Sequence, residues 1–326
     1  MDIVFGYESA LEYWRVVGPT FVPGYRARQT ATRKARAVMK RADKPRLSGG
    51  ARRPAGCSLP VQVLVGTSVA RTTTAQVKSF AWAEIPDKSI ADAGEGFLVS
   101  TPEFCFLQLA SRYTISQLIQ VGYELCGTYA LAEDGPARQR EASLTTTAKL
   151  EAFVDAASSA RGRDKALRAL RYLRNGSASP METVLVMLLC LPYKLGGYGL
   201  EQPHLNFRVD VPASMRKLAD RSYCKGDLCW PDKSLCIEYD SELHHADRDR
   251  RESDARRRST LISLGYTVIT VTPGQIADGG AFNRLAHQVA KLTGKRLRYE
   301  DPGFTHAHLA LREELFDALN LSGQAG

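Results

Sequence analysis

Asp227 and Glu238 flank the segment DLCWPDKSLCIE. Leu228, Trp230, Leu235 and Ile237 alternate there with polar or small residues on either side of Pro231-Asp232-Lys233-Ser234. That pattern reads as two strands joined by a short turn. If Trp230 pairs with Leu235, Asp227 falls opposite Glu238, with Cβ atoms about 5 Å apart on one face. Like charges placed so destabilise a hairpin unless a cation lies between them. A hard divalent ion that prefers oxygen ligands, Mg²⁺ or Mn²⁺, is the natural candidate, and it points to phosphodiester hydrolysis. Leu228, Trp230, Ile237 and Tyr239 would then fill the opposite face. The plainer alternative is a pair of solvent-facing strand acids, against which stands the apolar pair Cys229 and Cys236 on the same face.

Other groups near this hairpin carry two readings each. Asp240 follows Glu238 by two residues and shares its face, placed to bind a second ion, orient water or stabilise the turn. Lys225 falls opposite Asp240 in the same register, as a cross-strand ion pair or as a displaced catalytic lysine. His244 suits a general acid or water-positioning group, whereas the tandem His244-His245 can also bind adventitious metal. Glu182 lies three residues after Ser179, a capping box that competes with any catalytic use. Cys229 and Cys236 lack zinc spacing and are expected as two small buried residues. Arginines interleave with acids from Asp247 to Arg258, an ion-paired helix face in which Arg257 pairs with Asp254 or grips a substrate phosphate.

Around these residues the chain has 326 positions, which favours two domains. Its net charge of +9 is concentrated: Arg26 to Arg53 holds eleven Lys or Arg and one acid, so the remainder is near neutral. This basic arm, with Arg33, Lys34, Arg36, Lys40 and Arg41 as its candidate contacts, points to nucleic-acid phosphates, with DNA as the expected partner. A solvated arm without a partner is the alternative. The start Met1-Asp2-Ile3-Val4 lacks the pattern of an export signal. Seven cysteines show no secreted-scaffold spacing, and a reducing cytoplasm is the simplest expectation.

The local patterns predict a helix near Ile3 to Val17 and a basic helix from Thr30 to Arg41. Strands are expected at Val61 to Val65, Ser79 to Ile85 and Phe97 to Val99. Thr101-Pro102 opens one helix and Ile115 begins another. Lys149 to Leu173 is helical with a break near Arg161-Gly162, and Ser179-Pro180 opens an apolar helix. Three strands follow, near Phe207 to Val211, Tyr223 to Trp230 and Leu235 to Asp240. A charged helix then runs to a stop at Gly265, followed by a β-branched strand at Thr267 to Thr272 and a last helix at His306 to Leu319. The expected domains are an accessory α+β domain over 1–148, with its basic arm at 26–53, and a second domain over 149–326.

The order helix, three strands, helix, strand, together with Glu182, Asp227 and IEYDSELH from Ile237 to His244, resembles the PD-(D/E)XK nuclease superfamily. It is most similar to the very-short-patch-repair (Vsr-like) branch, over roughly Ser177 to Thr272. The resemblance implies an α/β restriction-endonuclease-like fold and a Mg²⁺-dependent endonuclease acting on DNA, in defence or repair. It implies that Asp227 and Glu238 are metal ligands, with the Tyr239 carbonyl beside them. Glu182, Asp240 and His244 would be the other catalytic positions. Two positions depart from the pattern: Asp240 stands where the wider superfamily has a Lys, and Ser241 replaces the usual Gly. In the N-terminal half, strands followed by TPEFCFLQLA and LIQVGYELCGTY are weakly similar to type IV abortive-infection antitoxin regions. A catalytically inactive DNA-binding regulator or antitoxin-like protein on a nuclease fold is therefore the rival reading. A scaffold binding protein or RNA is a third.

Overall fold

The computed structural model describes residues 3–41, 44–45, 53–54, 56–94, 96–132, 135–218, 222–240, 248–297 and 302–319, with the backbone alone at 218, 248–254 and 302. These residues form eleven α-helices and three sheets, a mixed α and β protein. The chain divides into two units, Met1–Leu173 and Arg174–Gly326. The division falls later than the polar stretch near residue 148, because the two helices after that stretch pack on the N-terminal unit's own helices.

In the N-terminal unit β1 (Ile3–Phe5) leads into α1 (Tyr7–Val17) and α2 (Tyr25–Met39). Strands β2 (Val61–Val65), β3 (Val77–Ala81), β4 (Ile90–Gly94) and β5 (Phe97–Ser100) follow. Next come α3 (Pro102–Ala110), α4 (Ile115–Cys126), the small pair β6 (Tyr129–Ala130) and β7 (Arg138–Gln139), then α5 (Thr147–Ala156) and α6 (Arg163–Leu170). The sheet order is β3-β2-β1-β5-β4.

Ile3–Phe5 is therefore a central strand rather than the start of a helix. Three consecutive buried apolar residues suit a strand flanked on both sides. The basic helix begins at Tyr25, earlier than Thr30, and packs along β4. Gly162 has φ 91° and breaks α5 from α6, as the Arg161-Gly162 pair predicts. Thr101 caps α3 by accepting from Phe104 N–H, with Pro102 at the first helical position.

The C-terminal unit begins with α7 (Pro180–Cys190), whose Val184–Leu189 run is buried on every side. Strands β8 (His204–Asp210), β9 (Tyr223–Trp230) and β10 (Leu235–Tyr239) form an antiparallel meander. Helix α8 (Arg248–Ser263) then crosses to β11 (Thr267–Val271), which pairs parallel to β10 and gives the order β11-β10-β9-β8. The helix, three-strand, helix, strand sequence is thus present. Three more helices follow: α9 (Pro273–Ala277), α10 (Gly279–Thr293) and α11 (Pro302–Asp317). Among the described residues, no helix is long and apolar enough to cross a membrane.

Candidate functional site

The β9–β10 hairpin has the register that its alternation predicts. Trp230 pairs with Leu235, Cys229 with Cys236 and Leu228 with Ile237. The turn is a single 3₁₀ loop over Pro231–Lys233, closed by Ser234 in the left-handed region at φ 45°. Leu228, Trp230 and Ile237 are buried. At the next step side chains replace the backbone ladder. Tyr239 N–H donates to Asp227 Oδ2 at 2.8 Å, and Asp227 N–H reaches Glu238 Oε1 at 3.4 Å. The two acids are therefore locked to each other's strands.

A third acid, on α7, lies within range of the Asp227 charge. Ser179 caps that helix by accepting from Glu182 N–H at 3.1 Å. The return bond of a capping box does not form. Glu182 Oε2 instead accepts from Ala178 N–H at 2.9 Å and from Asn206 Nδ2 at 2.7 Å. Asn206 sits in β8 opposite Asp227, between the pairs Leu205 with Leu228 and Phe207 with Gly226. It adopts φ 47°, a conformation that Asn tolerates better than most residues. Both bonds to Glu182 fall on Oε2, and Oε1 carries neither.

The electrostatics follow from this convergence. Glu182 is 6% exposed and Glu238 3%. Burial and then the neighbouring Asp227 charge push Glu182 up to about 8 and Glu238 up to about 7. Arg257 opposes the rise at Glu238, donating through one guanidinium nitrogen to Oε2. The guanidinium thus reaches across to β10, while the expected pair with Asp254 involves a side chain outside the described residues. Arg257's position four residues before buried Leu261 puts both on the sheet-facing side of α8, a signal that was legible. Asn206 left no comparable trace, since a lone polar residue in an edge strand looks like a surface residue.

The remaining candidates separate. Asp240 is half-exposed at its side chain, which lies 3.7 Å from Arg258. Lys225 is exposed and makes no ion pair with Asp240; it stands opposite Arg208 on β8. His244, His245, Ser241 and the Asp254 side chain lie outside the described residues. Cys229 and Cys236 are not merely two small buried residues: they form a disulfide across the hairpin, with Cα atoms 4.2 Å apart. Gly226 lies against it, and a Cβ there would collide with both sulfurs. The other five cysteines are free and buried.

In the basic arm, three positions pair with acids of the N-terminal unit, and Arg53 donates to the Cys57 carbonyl. Arg28 donates to Glu103 at 2.9 Å, Lys34 to Asp92 at 3.3 Å and Arg36 to Asp87 at 2.7 Å. Arg33, Lys40 and Arg41 are exposed and have no acidic partner among the described residues.

The donor set fits a hard cation in kind, since it offers carboxylate oxygens and one of them, Glu182 Oε1, carries no hydrogen bond to Ala178 or Asn206. Among the described residues, no three His, Cys, Asp or Glu side chains form a ready-made coordination group. Comparison with protein-family models, curated proteins and solved structures found no match.

Proposed function

We propose that the C-terminal unit is a metal-dependent endonuclease domain that hydrolyses phosphodiester bonds in DNA, built as a restriction-endonuclease-like fold of the Vsr-like kind. One observation carries this reading. Glu182 on α7 and Glu238 on β10 are both buried, and burial together with the charge of Asp227 on β9 pushes each of them far above the ordinary carboxylate range. Such a cluster is costly unless charge compensates it, and perturbed carboxylates collect where chemistry is done. The order of α7, β8, β9, β10, α8 and β11 supports the same reading.

Asp227 and Glu238 would hold Mg²⁺ or Mn²⁺, with Glu182 beside them. Such an ion, when bound, acidifies water and stabilises charge on the scissile phosphate. The protein's own contribution is positioning and proton transfer. Tyr239 N–H and Asn206 Nδ2 fix Asp227 and Glu182, respectively. In its ionised form Glu182 would accept the proton of the attacking water at Oε1, the oxygen not held by Ala178 or Asn206. Arg257 orients Glu238, and its guanidinium is of the kind that would grip a substrate phosphate. His244 is assigned the leaving-group proton, and Asp240 a water-positioning role. Arg33, Lys40 and Arg41 add sequence-independent affinity for DNA.

A second reading, a catalytically inactive DNA-binding regulator or antitoxin-like protein, is favoured by one contact: Arg257 occupies Glu238 Oε2, where a metal ligand would otherwise be open. Cleavage of duplex and single-stranded DNA with Mg²⁺ or Mn²⁺ separates the two. Catalysis requires that Glu238→Ala abolish cleavage, by a factor on the order of 10³ or more. Equal cleavage by wild type and Glu238→Ala removes the assigned site. Metal-independent DNA binding without cleavage establishes the regulator.

A further inference from the structure

The N-terminal unit contains a second site that the nuclease reading leaves unused. An open cleft of about 1360 Å³ lies among the start of α2, the end of β3 with its following loop, α5 and the turn after it. Its lining includes the aromatic residues Phe80, Trp82, Phe153 and Tyr25. Trp82 stands edge-on to Phe104, with ring centroids 4.9 Å apart, and its indole N–H donates to the Tyr7 hydroxyl at 2.9 Å. Phe80 is tilted against the Tyr7 ring at 4.3 Å, and both Phe80 and Phe153 remain partly exposed.

Charge on the walls is unbalanced. Two of the three lining acids are already engaged, Glu103 with Arg28 and Asp87 with Arg36, which leaves Glu84. Against it stand Arg71, Lys149 and Arg161, all exposed and without an acidic partner among the described residues. Lys88 adds a fourth cation, its ammonium 3.9 Å from the Tyr25 ring centre.

The backbone supplies an independent sign. Tyr7 lines the cleft and begins α1 with φ 54°, a left-handed conformation rare for a bulky residue. Its N–H is held by Gln108 Oε1 at 2.9 Å. Strain of this kind persists where surrounding structure enforces it, and it gathers at ligand sites.

Flat aromatic faces beside unbalanced cations select a ligand that is planar at one end and anionic at the other. The volume exceeds that of an ordinary small-molecule pocket, so a phosphorylated ligand of nucleotide size or larger fits. We propose that this cleft binds a nucleoside phosphate, its base against the partly exposed Phe80 and Phe153, which the buried Trp82 backs, and its phosphates at Lys149 and Arg161. The ligand is either a free nucleotide or an unpaired nucleotide of a single strand. The proposal does not depend on the nuclease site.

The test measures full-length protein against a fluorescent methylanthraniloyl-ATP and a labelled twelve-residue oligo(dT), with inorganic tripolyphosphate as the charge-only control. Both are repeated in the Glu238→Ala background, so that cleavage cannot intervene. The exposed pair is reversed as Lys149→Glu/Arg161→Glu, and the wall is trimmed as Phe153→Ala, with circular dichroism to confirm folding. The expected result is loss of affinity on the order of tenfold or more in the double variant and a smaller loss in Phe153→Ala. Tight binding of the ATP probe identifies a free nucleotide, and tight binding of oligo(dT) alone identifies a single strand. The proposal is overturned if neither probe binds, if the folded variants bind as wild type does, or if tripolyphosphate binds as tightly as the ATP probe.

Discussion

At the scale of single residues, the site is a problem of proton balance. Glu182 and Glu238 have folded-state values raised by burial and by Asp227. Each holds its proton more readily folded than unfolded. Their contribution to stability is therefore complete below the usual value of 4.5 and is lost as pH rises through about 7 to 8. Glu182→Gln is expected to raise the melting temperature by several degrees at pH 8 and to leave it unchanged at pH 4.5. Scanning fluorimetry across that range checks the slope; a gain at pH 4.5 equal to that at pH 8 contradicts it. Mg²⁺ or Mn²⁺ should stabilise the wild type more at pH 8 than at pH 6, since metal and proton compete for the same oxygens. Asp227 and Glu238 were legible because alternation and the Pro231–Ser234 turn left one sensible register. Glu182's partner Asn206 was not, because that contact joins elements far apart in the chain.

At the scale of elements, the hairpin is held by features that serve no ligand. Gly226 has no room for a side chain beside the Cys229–Cys236 disulfide, and Glu238 Oε1 is 3.4 Å from where its Cβ would sit. Gly226→Ala is expected to cost about 1–3 kcal/mol and to lower cleavage with it. Chemical denaturation measures the cost, and wild-type stability in this variant would show that the strand can yield. Helix caps were readable in part from local pattern: Thr101 and Ser179 cap as their positions suggest, whereas the Thr146 cap of α5 was not foreseen. Helices α9 and α10 were not foreseen, although Thr272-Pro273 and Asp278 supply their caps. Strand β4, with the sequence IADAG, lacks β-branched density and forms because β5 and α2 cover it.

At the scale of the whole molecule, the two units rest on different chemistry. Glu124 is the electrostatic anchor of the N-terminal unit, 1% exposed, with a two-pronged bond from Arg15 at 2.8 Å and Arg140 at 3.6 Å. Glu124→Ala strands the buried Arg140 without that counter-charge, at a cost of about 3–5 kcal/mol. Calorimetry should show this loss in one transition and the Glu182→Gln gain at pH 8 in another, because the two sites share no partner. Movement of both transitions together in either variant would mean that the units unfold as one.

The parallel pairing of β10 with β11 also sets an order in time. Asp240 N–H finds its acceptor at Val271 only after α8 and β11 have been added to the chain. On the ribosome, the strand bearing Glu238 keeps one edge open until Val271 has left the exit tunnel. Ribosome-bound chains too short for Thr267 to emerge should accordingly be the protease-sensitive and aggregation-prone ones, and chains long enough for Val271 to clear the exit tunnel should not.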